Sequence, residues 1–268
     1  MTMEGSTTLF FRALGPTRVE LGDTAVHIGG PVPRRMLTAL LAADGHQVSD
    51  GALVQQIWDA PPGRVIETLR VVACRLRTAL GRDARNPLRR SEFGYTLVLE
   101  AGATDIELFR DRVARGLALS RLGRAAEAVA TFDAALDLWH GQPWADLGDS
   151  IEMTAARQGL LDLYDAAVEE RIAACLADGD TIAPLAALRT ALAAGPYRER
   201  RWELLALALY RCGRQVHALT ELRRARELFV REIGIEPGPA LRDLEHRILT
   251  HDPHLLVAGT RELVGGRF

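Results

Sequence analysis

The sequence predicts a mainly α chain in two parts, an α+β segment of about 100 residues followed by an all-α repeat. Three observations predict it. Short strand-like runs flank three helical stretches up to residue 100, strand signals fade beyond that point, and Gly179 and Gly213 stand 34 residues apart in the helical remainder. Apolar residues at 48% and charged residues at 25% of 268 are ordinary for a globular chain. No apolar run approaches the 18 or so residues of a bilayer helix, and the first residues lack a basic-then-apolar leader. A cytoplasmic protein is expected. Cys74, Cys175 and Cys212 are odd in number and widely spaced, which predicts free thiols.

Leu9–Leu14, Arg18–Leu21 and Ala25–Ile28 read as strands separated by Gly15-Pro16 and Gly22-Asp23. From Pro33 the period changes: Met36, Leu37, Leu40 and Leu41 share one helix face, ended by Asp44-Gly45. Ser49 is a good N-cap for a second helix carrying Leu53, Ile57 and Trp58. Pro61-Pro62-Gly63 breaks it, and a third helix runs from about Arg64 to Leu80 before Gly81. Leu88–Arg90 and Tyr95–Leu99 flank Ser91–Gly94 as a hairpin. Strands, three helices and a hairpin, in that order, make a winged helix-turn-helix.

The helical remainder carries an internal repeat of tetratricopeptide period. Gly123, Ala128, Phe132 and Ala135 align with Gly213, Ala218, Leu222 and Ala225; a middle copy holds Gly179, Leu188, Ala191 and Pro196, with Pro184 at the small-residue position. In such arrays small residues let paired helices approach, and each repeat buries its apolar face on a neighbour. The 56 residues between Gly123 and Gly179 make the array irregular.

Charge is uneven. The chain has no lysine and one asparagine, Asn86, as a strongly GC-rich genome would produce. Within residues 64–90, Arg64, Arg70, Arg75, Arg77, Arg82, Arg85, Arg89 and Arg90 face only Glu67 and Asp83, so a polyanion partner belongs there. At 100° per residue, Val65, Leu69, Val72, Ala73, Leu76 and Leu80 form the core stripe of the third helix. Arg64, Glu67, Val71, Cys74, Arg75 and Thr78 take the opposite face, with Arg70 and Arg77 at its flanks. Such a helix packs through one face and enters a major groove with the other, where arginine forks meet phosphate or guanine. Arg89 and Arg90 of the hairpin add phosphate or minor-groove contacts.

No enzyme is expected, because Gly-rich phosphate loops, a Gly-x-Ser-x-Gly elbow and His-Glu-x-x-His are all missing from the sequence. His251 and His254 are read as terminal-helix surface rather than metal ligands, and Glu169-Glu170 as an exposed helix edge. Neither a metal nor a cofactor is implied.

Over residues 9 to 255 the chain resembles the SARP (Streptomyces antibiotic regulatory protein) family. The N-terminal resemblance rests on Leu14-Gly-Pro16, Gly29-Gly-Pro31, Ile57-Trp58, Pro61-Pro62, Thr68-Leu69, Arg75-Leu-Arg77, Ala79-Leu-Gly81 and Gly94-Tyr95, which look like the family's OmpR-type winged helix. Leu138-Trp139, Gly141, Pro143, Glu170-Arg171, Leu209-Tyr-Arg211, Gly213-Arg-Gln215, Glu236-Pro-Gly-Pro239 and Asp252-Pro253 are similar to its bacterial transcriptional activation domain. The resemblance implies a DNA-binding domain at residues 1–100, an activation domain at 101–255 and a tail at 256–268. It further implies a small-form member that ends after the activation domain, with no nucleotide-binding module or receiver.

It also implies a transcriptional activator of secondary-metabolite genes in an actinobacterium. Such an activator binds direct repeats near the promoter −35 element as two copies side by side and recruits RNA polymerase holoenzyme through its sigma factor. Its DNA-binding residues are then Arg64, Thr68, Arg70, Val71, Cys74, Arg75, Arg77, Thr78, Arg89 and Arg90, and Asp59, Ala60, Pro61, Pro62 and Gly63 form the polymerase-facing loop. Arg70, Val71 and Cys74 depart from the polar Gln, Thr and Ser common on the family's recognition helix, which points to an altered base preference. Two alternatives stay open at this level: a tetratricopeptide-type interaction scaffold, and a metabolite-sensing regulator with weak or no DNA binding.

Overall fold

The computed structural model describes residues 8–81 and 86–256. The chain divides into two compact units, one of residues 1–111 with 135–163 and the other of 112–134 with 164–268. The predicted Arg82, Asp83, Arg85 and residues 257–268 of the predicted tail lie outside the described residues.

In the first unit, strands β1 (Leu9–Arg12), β2 (Arg18–Leu21) and β3 (Thr24–Val26) form an antiparallel meander. Helix α1 (Pro31–Ala42) starts two residues before the predicted Pro33 and buries Met36, Leu37 and Leu40. Ser49 caps α2 (Asp50–Ile57) as expected, its Oγ accepting from the Ala52 N–H at 3.2 Å. Trp58 does not extend that helix; it is the extended C-cap residue (φ −123°). Helix α3 spans Val65–Ala79, and Leu69, Val72, Ala73, Leu76 and Leu80 are buried as the stripe requires, with Val65 half-buried.

The wing has a strand that the sequence reading missed. Between α1 and α2, β4 (Val48–Ser49) pairs with β6 (Gly94–Leu97), which also pairs with β5 (Leu88–Arg90) in a β4-β6-β5 sheet. Gly94 is what allows β4: a Cβ there would lie 2.0 Å from the Val48 carbonyl oxygen. Two residues are too few to show the alternation by which a strand is recognised.

Helices α4 (Asp105–Arg121), α5 (Ala125–Leu136) and α6 (Ile151–Ala177) follow. The long gap in the repeat is explained at residues 137–150, an irregular segment of the first unit organised by Arg157 of α6. This arginine is 3% exposed. Its guanidinium donates to the carbonyls of Pro143, Trp144 and Leu147 at 2.7–2.9 Å and pairs with Asp149. The His140 and Trp144 N–H groups donate to Leu14 and Ala13 carbonyls, tying the segment to the end of β1.

The second unit contains α7 (Ala183–Ala194), α8 (Glu199–Arg211), α9 (Gln215–Leu228), a π-helical turn (Phe229–Ile233), α10 (Pro239–Leu249) and a 3-10 turn (Pro253–Leu255). The three repeat glycines end α4, α6 and α8 in the same way. Each has positive φ, and in each the residue after the glycine donates to a carbonyl five residues back: Arg124 to Leu119, Asp180 to Cys175, Arg214 to Leu209, all at 2.9–3.0 Å. Ala128, Phe132, Ala218, Leu222, Ala225 and Leu188 are buried, and Pro184 sits buried in the first turn of α7.

Arg211 donates to the Leu176 carbonyl at 2.6 Å and the Leu255 carbonyl at 2.7 Å, and Gln215 to the Ile248 carbonyl at 3.1 Å. The Gly-Arg-Gln neighbourhood thus adds side-chain donors to the carbonyls at the ends of α6 and α10, which among the described residues otherwise accept only from the Gly179 and His251 N–H groups at 3.3 Å. Glu169 corrects an expectation: it is 6% exposed, and its carboxylate accepts from Arg198 and from the fully buried Arg201, which also reaches Asp165 and the Ala191 carbonyl. All three cysteines are free thiols, Cys74 exposed and Cys175 buried.

Candidate nucleic-acid interface

The outward face of α3 is assembled by the burial of its other side. With Leu69, Val72, Ala73 and Leu76 in the core, Arg64, Glu67, Arg70, Val71, Cys74, Arg75 and Thr78 are all exposed. The Arg64 side chain is 84% exposed, and among the described residues its guanidinium pairs only with Glu67, at 3.5 Å, through a pair too open to hold it. Val71 is half exposed, an apolar point among cations. Thr68 is half-buried and donates its hydroxyl to the Arg64 carbonyl at 3.0 Å.

The flanking arginines are held differently. Arg77 is half-buried and donates Nε and Nη2 to the Leu88 carbonyl of β5, both at 3.4 Å. Arg90 on the wing forms a bidentate pair with Asp50 at the start of α2, and its guanidinium lies 4.5 Å from the centre of the Tyr95 ring. Donating to the Asp50 carboxylate raises the Arg90 pKa, and burial raises that of the Tyr95 hydroxyl. Arg89 is exposed on the same strand, and the hairpin turn closes with the Ser91 N–H donating to the Gly94 carbonyl at 3.0 Å. Asp59, Ala60, Pro61, Pro62 and Gly63 are exposed throughout, and Asp59 approaches Arg35 at 3.7 Å.

Sequence reasoning missed the residue that fixes wing to helix. Asn86 is 5% exposed. Its amide donates to the carbonyls of Arg77 (2.7 Å) and Gly81, and its carbonyl accepts the Leu88 N–H at 2.9 Å. The available signal was its being the only asparagine, placed between a helix stop and a strand. Among the described residues no group of three or more His, Cys, Asp or Glu side chains is placed to hold a metal, and no helix is long and apolar enough to cross a membrane.

A three-stranded wing sheet beside an amphipathic helix, followed by a helical repeat domain, defines a winged-helix regulator. Residues 104–249 match the family described as Bacterial transcriptional activator domain. The chain is 32% identical over 251 residues to the transcriptional regulatory protein MoaR1 of Mycobacterium tuberculosis, covering 91% of this chain and 80% of that one. It is 34% identical over 255 residues to the regulatory protein AfsR of Streptomyces griseus, where 92% of this chain spans only 25% of the relative. The structure of Mycobacterium tuberculosis EmbR in complex with a low affinity phosphopeptide superposes with a TM-score of 0.84 at 30% identity, over 92% of this chain and 66% of that one. The chain belongs to the SARP family of transcriptional regulators.

Proposed function

We propose that this protein activates transcription by binding promoter DNA through α3 and the β5–β6 wing and by holding RNA polymerase near a weak promoter. The observation that carries the reading is the division of α3 into a fully packed side and an exposed side bearing Arg64, Arg70 and Arg75. An α-helix fits a major groove about 12 Å wide, and arginine is the residue best matched to guanine O6/N7 and to phosphate. Val71 supplies an apolar contact for a thymine methyl, with Cys74 and Thr78 beside it on the groove face. Arg89 contacts the backbone from the wing. Arg77 and Arg90 act first as wing-shaping residues, since both are already engaged within the protein.

The same reading assigns residues 1–100 to DNA binding and 101–255 to activation, with the exposed loop Asp59–Gly63 turned toward polymerase and its sigma factor. Two copies bind side by side on a direct repeat near the −35 element of secondary-metabolite genes, within the cytoplasm at the nucleoid. Contacts contributing about 1–2 kcal/mol raise promoter occupancy roughly 5- to 30-fold, enough for a switch.

Footprinting with the purified chain on the promoters of neighbouring genes tests the proposal. Protection of a short direct repeat beside the −35 element is the expected outcome. A chain that protects no promoter fragment at low ionic strength, where phosphate contacts are strongest, overturns it.

A further inference from the structure

Within the second unit, α6, α8, α10 and the α4–α5 junction enclose a cleft of about 360 Å3. That volume lies within the roughly 300–1,000 Å3 of small-molecule sites. Its apolar wall is made of Ala173 and Ala174 on α6 with Leu204 and Leu207 on α8. Short side chains there leave room for a hydrocarbon body.

Three carboxylates line the cleft, Glu170, Glu203 and Asp243, against two arginines. Arg200 is paired with Glu203 at 3.0 Å, and Arg211 donates to the Leu176 and Leu255 carbonyls. Glu170 has no hydrogen bond or ion pair among the described residues, and Asp243 has only Arg247 at 3.9 Å. The uncommitted charge is therefore negative.

The carboxylates also share one end. The bond from Arg211 to Leu176 joins the C-terminal ends of α8 and α6, and at 1.5 Å per residue Glu203 and Glu170 lie roughly 12 and 9 Å back from it. The Gly238 N–H bonds to Glu199 join the starts of α10 and α8, with Asp243 and Glu203 roughly 8 and 6 Å beyond. The Ser120 hydroxyl, whose oxygen is buried and has no hydrogen-bond partner among the described residues, also lines the cleft.

We propose that this cleft binds a small hydrophobic primary amine, its ammonium among Glu170, Glu203 and Asp243 and its hydrocarbon along the alanine–leucine wall. The carboxylates favour a cation over a neutral or anionic head of equal size, and the wall makes affinity depend on chain length. The site is independent of the DNA-binding reading, because occupancy is measured without DNA.

Isothermal titration of the full chain with octylamine, hexylamine, octanoate and octanol tests it. Octylamine is expected to bind saturably at one site, and hexylamine about 15-fold more weakly, the factor for two methylenes at ~0.8 kcal/mol each. Glu170→Gln should weaken octylamine about tenfold while leaving the thermal midpoint unchanged, since Glu170 bonds to nothing among the described residues. Ala173→Phe, which fills the wall, should abolish binding in a chain whose circular dichroism matches wild type; if that variant misfolds, Glu170→Gln alone decides. The proposal is overturned by an absence of saturable heat, by octanoate binding as tightly as octylamine, or by Glu170→Gln leaving affinity intact.

Discussion

Asn86 donates its side-chain amide to the Arg77 carbonyl at 2.7 Å, joining the last turn of α3 to the strand that begins the wing. The same side chain accepts the Leu88 N–H, so one buried amide sets both the end of the helix and the start of β5. Asn86→Ala leaves that N–H and two carbonyls without their partner, at about 1–3 kcal/mol for such a loss. Asn86→Asp keeps the acceptor for Leu88 but sets a carboxylate against two carbonyl oxygens. The aspartate variant is therefore expected to be less stable than the alanine variant at neutral pH and to recover as acid restores a donor. Urea unfolding midpoints at pH 4 and pH 7 check the crossover, and parallel pH responses in the two variants would contradict this account of the clip.

On the proposed function Arg75 has a DNA-facing role and Arg90 an internal one. Arg75 is exposed on the outward face of α3, whereas both Nη atoms of Arg90 are bonded to Asp50. Arg75→Ala should leave the unfolding midpoint unchanged and flatten the slope of log K against log salt for promoter DNA by about 0.9. Arg90→Ala should lower the midpoint, and a double-mutant cycle with Asp50→Ala should show the two side chains coupled. Finding the stability loss in Arg75→Ala, or no coupling in the cycle, would reverse the assignment of roles.

These contrasts mark how far the sequence is legible. The core stripe of α3 was readable because a 3.6-residue period is a local property, and Ser49 because a cap is satisfied three residues away. What Arg77 and Arg90 do was not readable, since their partners stand 11 and 40 residues distant. Glu169 misled for the same reason. An isolated glutamate is almost always exposed, and only the fold brings Arg198 and Arg201, 29 and 32 residues on, to its carboxylate. The repeat glycines, by contrast, were visible because a left-handed helix end selects glycine directly.

Asp105 gives the chain a pH dependence of unusual sign. Its carboxylate is 1% exposed and accepts from the Ala13 N–H (2.8 and 2.9 Å) and the Leu14 N–H (3.0 Å). Burial raises its pKa, while the backbone donors oppose the shift only in part. With the folded value above the unfolded one, the folded chain binds the proton more tightly. This group's stabilising contribution is then complete below about pH 3.9 and is lost as pH rises through the folded value. Asp105→Asn removes the titration. The stability of wild type relative to this variant should therefore fall as pH is raised from 3 and level off once the folded carboxyl has ionised. Urea titrations across pH 3–8 measure the difference, and a rise with pH would mean that the backbone donors outweigh burial.

The ion cluster of the second unit is the strictest test of packing. Arg201 is 2% exposed, donates to Glu169 at 3.1 Å and to the Ala191 carbonyl at 2.6 Å, and is paired with Asp165. Removing one partner of a buried pair costs about 3–5 kcal/mol when the other charge is left uncompensated, and since Arg198 still pairs with Glu169 and Asp165, Arg201→Met should cost somewhat less than that. Gly195 belongs to the same unit of energy: a Cβ at this position would lie 2.5 Å from Arg201 Nη1. Gly195→Ala must push the guanidinium off the Ala191 carbonyl, an overpacking cost of about 1–3 kcal/mol. In Arg201→Met the obstructing atom is gone, so adding Gly195→Ala should then cost much less than it does in wild type. Calorimetric or denaturant measurements on the two single variants and the double variant give the coupling directly. Strict additivity would show that the glycine is required by its backbone rather than by the arginine packed against it.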